Sequence, residues 1–252
     1  VGVTSMRVVD GTDGLMFADT QGEVSPLSFS LLYATGAEYR PLLDQLHNLG
    51  AEAVRWFASP LTSSPTRRGC TLEESEREGP VLAKELLDRG MLGDFCGLCD
   101  TESWGNMGAW KAHTRWLGDL ARAFRNIASC TLVNELNHNT QHKFSMEELN
   151  ELAAEFGATP CSLSAGADVR GDELDSNGEY APAKVSGCTG VDTHFQRGGE
   201  LAWDNANHGF VELRLIAQKY RRARRSAEPQ RCDDGPAVSY THLRAHETGR
   251  NL

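Results

Sequence analysis

The chain has 252 residues, 40% of them hydrophobic, and a formal net charge of -10 at pH 7. That length suits one large α/β domain or two small ones, with enough apolar material for a sizeable core. The acidic balance excludes nucleic acid as a bulk partner, because phosphates require a cationic face. No apolar run approaches the roughly 18 residues of a membrane-spanning helix.

The segment from Met6 to Glu23 carries Asp-Gly, Asp-Gly and Gln-Gly turns around the apolar pieces Arg7-Val8-Val9 and Leu15-Met16-Phe17. This predicts an N-terminal hairpin lead-in over 1–26. Leu27 to Tyr33 reads as a first strand, and Glu38 to Asn48 as a helix with Leu42, Leu46 and Leu49 on its apolar face and Gly50 as its stop. Ala51 to Ala58 is a second strand. Pro80, taken as the first helical position, opens a helix through Arg89, and Leu92 to Leu98 is a third strand.

Gly108 to Asn126 is amphipathic through Leu117, Leu120, Ala121 and Phe124, and Ser129 to Asn134 is a fourth strand. Ser145 and Glu148 form a capping box before the stripe Leu149, Leu152, Ala153 and Phe156. Pro160 to Ser164, Gly190 to Phe195 and Arg224 to Ala227 read as strands five to seven, with a helix from Trp203 to Tyr220 before the last. Strand and helix alternate at roughly 25 to 40 residues per unit, the rhythm of parallel α/β structure. Seven strands fit an incomplete (β/α)8 barrel over 27–237. A doubly wound sheet is the competitor, but no Gly-x-Gly-x-x-Gly or P-loop lysine motif accompanies it.

Val1 as first residue reads as a fragment edge, or Met6 as the start. Val238 to Thr248 resembles one reading frame of a transposon-end sequencing adapter, so 238–252 is expected to be a non-biological tail and the gene to be cut near Ala237, with an ordinary polar tail as the alternative. His242 and His246 are set aside with it.

The seven cysteines have no regular spacing and do not resemble a secreted disulfide framework. With no signal-peptide pattern in view, this reduced usage points to the cytoplasm. Cys96-Gly-Leu-Cys99 is a lone CxxC with no second pair at zinc-ribbon spacing. It reads as two reduced thiols at a strand end, and no cofactor or metal is implied.

In a barrel the strand C-termini converge on one mouth. The polar residues at those ends are Arg55 on strand two, Asp100 after strand three, Asn134 and Glu135 on strand four, His194 on strand six and Glu228 on strand seven. Glu135 follows the apolar run Ser-Cys-Thr-Leu-Val, an environment that favours a protonated carboxyl and so a general acid. Two carboxylates across a mouth suit glycosidic bond cleavage. The ordinary alternatives are a structural ion pair at Arg55, a loop-capping Asp100 and a core His194. A metal-dependent barrel using His138, His142 and His194 is a weaker reading, since Asn137-His138-Asn139-Thr140 looks like loop.

The ordered set resembles the clan A glycoside hydrolases, retaining (β/α)8 enzymes that include cellulases, mannanases and related family 5 proteins. Asn134-Glu135, Glu228, Val54-Arg55 and Val191-Asp192-Thr193-His194 carry the resemblance, together with the lead-in Phe17-Ala18-Asp19. It implies that Glu135 is the acid/base, Glu228 the nucleophile, Asn134 a partner of the sugar 2-hydroxyl and Arg55 the group that keeps Glu228 ionised. His194 and Asp100 are then substrate-binding positions, and an oligo- or polysaccharide or glycoside is the expected substrate. A non-catalytic carbohydrate-binding or structural barrel is the alternative. The chain departs from the family pattern in three places. Strand seven reads Arg221-Arg222-Ala223-Arg224-Arg225, where a buried barrel strand should be apolar. Strand three ends in Cys99-Asp100 rather than an Asp-x-His type sequence, and an eighth strand is not visible.

Overall fold

A computed structural model describes residues 7–11, 14–18, 29–32, 39–62, 67–136, 142–168, 184–194 and 223–228. Before residue 39, and in 166–168, 191–194 and 223–228, only the course and pairing of the backbone are described. The expected helix from Trp203 to Tyr220, Phe195, His138 and the segment 238–252 lie outside the described residues.

A two-stranded antiparallel hairpin comes first, β1 (Arg7–Gly11) against β2 (Gly14–Ala18), with Val8 opposite Phe17. The barrel wall follows. Strands β3 (Phe29–Leu32), β4 (Ala53–Phe57), β5 (Leu92–Leu98), β6 (Ile127–Val133) and β7 (Ser162–Ser164) form one parallel sheet in chain order. After Ala165 the chain continues as β8 (Gly166–Asp168), which pairs in parallel with β9 (Gly190–His194), itself parallel to β10 (Ala223–Glu228). Strands β7 and β8 are two halves of the fifth barrel strand. All seven expected strands are present within a few residues of their predicted bounds. The fold is a (β/α)8-type barrel, seven wall strands of which lie among the described residues.

The arginine-rich strand seven forms after all. Ala223 to Ser226 pair residue for residue with Gly190 to Thr193, and a register shift between Ser226 and Glu228 sets Glu228 opposite His194.

The helices explain how the wall is covered. Helix α1 (Tyr39–Asn48) buries Tyr39 and Leu43, whereas Leu42 and Leu49 are exposed and Leu46 is partly buried. The expected Leu42–Leu46–Leu49 face is thus rotated by one position. Tyr39, Leu43 and Leu46 are spaced i, i+4, i+7, which keeps the tyrosine ring over Trp56.

Helix α2 spans Leu72–Asp88 and begins well before Pro80. Thr71 caps it, accepting from Glu74 N while the Glu74 side chain accepts from Thr71 N. That reciprocal pair nucleates the helix upstream, and Pro80 lies inside it rather than at its start. Helix α3 (Met107–Ala123) starts at Asn106, whose Oδ1 accepts from Gly108 N and Ala109 N. Helix α4 (Met146–Phe156) has the expected Ser145–Glu148 capping box.

Between wall and helices lies a layer containing Trp56, Phe95, Leu82, Leu86, Leu117, Leu132, Leu152 and Phe156, each almost fully buried. Burying one such side chain contributes about 1.5–3 kcal/mol. Helices α3 and α4 meet at Gly118, where any Cβ would run into the Phe156 carbonyl. Arg122 Nη1 donates to that same carbonyl at 3.1 Å.

Candidate active site

Strands β4, β5 and β6 carry a polar layer through an otherwise apolar interior. Arg55, Asp94 and Ser129 are register neighbours on the three strands. The Arg55 and Asp94 side chains are both 0% exposed, and Arg55 Nη1 donates to Asp94 Oδ2 at 2.7 Å. Two charges this deep are stable only when paired and hydrogen-bonded. Here Ser129 Oγ donates to Asp94 Oδ1 at 2.8 Å, and Arg55 Nη1 also reaches Thr131 Oγ1 at 3.1 Å. The guanidinium lies 5.6 Å from the Phe57 ring centroid.

The other arm of Arg55 points to the strand end, where Nη2 donates to Asn134 Oδ1 at 3.0 Å. Asn134 N donates to Leu98 O at 2.8 Å and prolongs the ladder one residue beyond β6. Glu135 then turns the chain in the left-handed region, with φ of 46°, and is buried. Asp100, two residues past β5, has the same φ and is equally buried. Each stands two residues beyond the end of its strand. A non-glycine residue in that region costs about 1–3 kcal/mol and persists where its surroundings impose it, often at functional positions.

Asp100 is held by the loop after β4. Its Oδ2 accepts from Thr62 N at 2.6 Å and from Thr62 Oγ1 at 2.7 Å, while its carbonyl accepts from Ser103 N and Oγ. That loop is fixed in turn by Arg67. The guanidinium lies 4.9 Å from the Trp56 ring centroid and donates to Ser59 O, Ser75 Oγ and Glu78 Oε2. Tyr39 donates to Glu78 Oε2 at 2.6 Å. Burial first, and the Glu78 carboxylate second, push the Tyr39 phenol far above its ordinary range, so it remains a donor. Ser59 Oγ accepts from Cys99 N at 3.1 Å, which ties loop and strand end together.

The two thiols of the CxxC are buried and free, with sulfurs 3.5 Å apart. Burial, reinforced by the contact with Cys96, pushes the Cys99 thiol well above the usual thiol range. Among the described residues no group of three His, Cys, Asp or Glu side chains is placed to hold a metal ion. His142 packs against Trp110 and Phe144 and pairs with Glu148 at 3.3 Å. Trp110 is buried, and Trp116 stacks on His113 with centroids 4.9 Å apart. These rings act as packing groups.

Across the barrel, His194 ends β9 and Glu228 ends β10, and the two are register partners. Asp168 at the end of β8 is the register partner of His194 on the other side. Three polar residues thus stand at one level on neighbouring strand ends. Of the six positions singled out from sequence, Arg55 and Asn134 touch directly. Glu135 follows Asn134, and Asp100 stands two residues past the neighbouring strand end. His194 and Glu228 share a register level. Sequence reading missed Asp94, Thr131 and Asp168. The signal for Asp94 was a lone charge in the middle of Leu-Gly-Asp-Phe-Cys-Gly-Leu, which a buried strand accepts only opposite a buried cation.

No protein-family model and no curated protein matches the chain. Solved structures do. A family 5 glycoside hydrolase mannosidase from Rhizomucor miehei is similar at 14% identity and TM-score 0.59, over 88% of this chain and 72% of that one. The hyperthermostable endo-1,4-beta-D-mannanase from Thermotoga petrophila RKU-1 is similar at 11% identity and TM-score 0.58, over 89% and 84%. A hyperthermophilic endocellulase from the archaeon Pyrococcus horikoshii is similar at 11% identity and TM-score 0.51, over 89% and 81%. The likeness is one of fold, the (β/α)8-type barrel.

Proposed function

We propose that the chain carries the machinery of a retaining glycoside hydrolase acting on β-linked mannosides or glucosides, the substrate classes of the mannanase and endocellulase it resembles in fold. One observation carries the reading. Glu135 leaves the fourth barrel strand in a left-handed turn beside an asparagine amide that Arg55 holds in place. Fold alone does not dictate chemistry, so the proposal rests on this constellation.

In the proposed reaction the Glu228 carboxylate attacks the anomeric carbon and forms a glycosyl ester. The glycosidic C–O bond breaks as the Glu135 carboxyl transfers its proton to the leaving oxygen. A water then attacks the anomeric carbon and gives its proton to the Glu135 carboxylate, and Glu228 leaves as carboxylate. Overall one water is consumed and the anomeric configuration is kept. This chemistry requires the two carboxyl groups to lie roughly 5 to 5.5 Å apart when substrate is bound. Arg55 supplies positive charge at the mouth floor, Asn134 hydrogen-bonds the sugar 2-hydroxyl, and Asp100 and His194 line the substrate path.

The test is release of nitrophenol from the para-nitrophenyl β-D-mannopyranoside and β-D-glucopyranoside by the chain, by Glu135→Gln and by Glu228→Gln, with a 2-deoxy-2-fluoro glycoside to trap the ester. Each variant should lose turnover, and the trapped sugar should sit on the Glu228 peptide. Turnover by Glu135→Gln equal to the parent, or a label on another peptide, overturns the assignment. Sugar binding without turnover in parent and variants alike points instead to a non-catalytic carbohydrate-binding barrel.

A further inference from the structure

We infer that Asp94, which lies a full layer below the barrel mouth, is a positioning residue that sets which edge of the Asn134 amide faces the substrate. The chain of contacts is short. Ser129 Oγ and Arg55 Nη1 fix the two oxygens of Asp94 at 2.8 and 2.7 Å. Asp94 and Thr131 Oγ1 together hold the planar guanidinium, because both accept from Nη1. The remaining arm, Nη2, is thereby aimed at the strand end and donates to Asn134 Oδ1.

An amide has one acceptor edge and one donor edge. A cation on the oxygen side fixes the flip, since the reverse orientation would set an N–H against a guanidinium N–H. The Asn134 nitrogen therefore faces away from Arg55. Asn134 Nδ2 has no hydrogen-bond partner among the described residues. It is also not one of the buried polar atoms lacking one, which include Trp56 Nε1, His113 Nε2 and Asn126 Oδ1. It thus keeps a small exposed area at the strand end beside Glu135, in a residue that is 6% exposed as a whole. A donor in that place selects an acceptor on the ligand, such as a sugar hydroxyl oxygen, and rejects a ligand that lacks one. Asp94 touches no ligand itself and acts through Arg55.

The catalytic part of the inference rests on the glycosidase reading, whereas the orientation of the amide does not, so two readouts separate them. The first is the side-chain NH2 pair of Asn134 in the full chain labelled with 15N-asparagine, identified by its loss in Asn134→Asp. In Asp94→Asn the pair should broaden or move to the position of a freely rotating amide. The Asn126 pair, which donates to Ala83 O at 2.9 Å, serves as the internal control for folding. An unchanged Asn134 pair beside an intact Asn126 pair overturns the inference. If Asp94→Asn fails to fold, Ser129→Ala and Thr131→Val loosen the same guanidinium without removing a charge. A fixed Asn134 pair in both of them overturns it equally.

The second readout is a ratio of two kcat/KM values, one for the para-nitrophenyl mannoside or glucoside and one for their shared 2-deoxy analogue. A loss of folded protein scales both rates and leaves the ratio alone. A misaligned Asn134 narrows it by roughly tenfold, the worth of one hydrogen bond. An unchanged ratio overturns the positioning role. If the parent chain hydrolyses none of the glycosides, the proposed function fails, and the amide resonance alone decides the inference.

Discussion

Replacing Gly118 by alanine opposes two effects of similar size, and the structure decides between them. In an exposed helix interior, Gly→Ala is favourable by about 1 kcal/mol. At Gly118 the new Cβ would collide with the Phe156 carbonyl and lie 2.9 Å from its carbon and 3.2 Å from its Cα. All three neighbours are backbone, so no rotamer change relieves the contact. Helix α4 must move away from α3, with an overpacking cost of about 1–3 kcal/mol. The same shift stretches the bond from Arg122 Nη1 to Phe156 O, worth a further ~1 kcal/mol. The net expectation is a destabilisation of about 1–3 kcal/mol and a fall in Tm of about 2–12 °C for a chain of this size. Thermal and urea unfolding of the parent and of Gly118→Ala measure it. A Tm equal to or above the parent's would refute the close approach of the two helices.

Three other outcomes are expected. Arg55→Met should cost about 3–5 kcal/mol in urea unfolding, because it strands the buried Asp94 charge, and Arg55→Met combined with Asp94→Leu should recover part of that loss; additive losses would argue against a coupled pair. In the native protein Cys96 and Cys99 should resist a disulfide reagent at pH 8 while the half-exposed Cys70 reacts, and all should react in denaturant, as read by peptide mass mapping. Glu148 accepts from the Ser145 backbone N–H, which depresses its carboxyl pKa, with the His142 contact adding to the effect. A depressed folded value stabilises above the unfolded pKa of about 4.3, and the stabilisation is lost as pH falls through the folded value. Stability of the parent should therefore drop on acidification below pH ~4.3, and the Glu148→Gln profile should be flatter over that interval.

The central strands β4, β5 and β6 were legible because each is a short, mostly apolar run closed by turn residues, and burial on both faces leaves little room for another pattern, whereas the arginine-rich seventh was readable only from the strand–helix rhythm. The capping box at Ser145 was legible for the same local reason. Helix α2 was not, because Pro80 looks like a first-turn residue. The Thr71–Glu74 pair that sets the true start precedes it by nine positions and lies in a charged stretch without an apolar stripe. The face of α1 was misplaced by one residue because three leucines competed with one tyrosine, and only the position of Trp56 on β4 selects between them. Of the site, Asn134 and Glu135 were readable as polar residues at an apolar strand end, and Arg55 as a lone cation that the structure places inside its strand rather than at the end. Asp94 was not, since it sits mid-strand and its meaning depends on Arg55, 39 positions earlier in the chain. The loop held by Arg67 depends on contacts with Ser59, Ser75 and Glu78 that no periodicity encodes.

The fifth barrel strand breaks at Ala165, and the continuous ladder breaks with it. A backbone bond from Thr189 N to Leu163 O, 2.9 Å long, stitches the two sides. The wall is in effect a seam joining two plates. One plate runs from β3 to β7 and carries Arg55, Asp94, Asn134 and Glu135, and the other runs from β8 to β10 and carries His194 and Glu228. The two glutamates proposed to work as a pair belong to different plates. A bulkier residue at the buried Ala165 is expected to change the angle between the plates and with it the spacing of the two glutamates. Retention and inversion of configuration differ by only a few ångströms of carboxyl separation. For the proposed pair, the carboxyl separation on which stereochemical outcome depends is therefore set by the seam as much as by the two side chains.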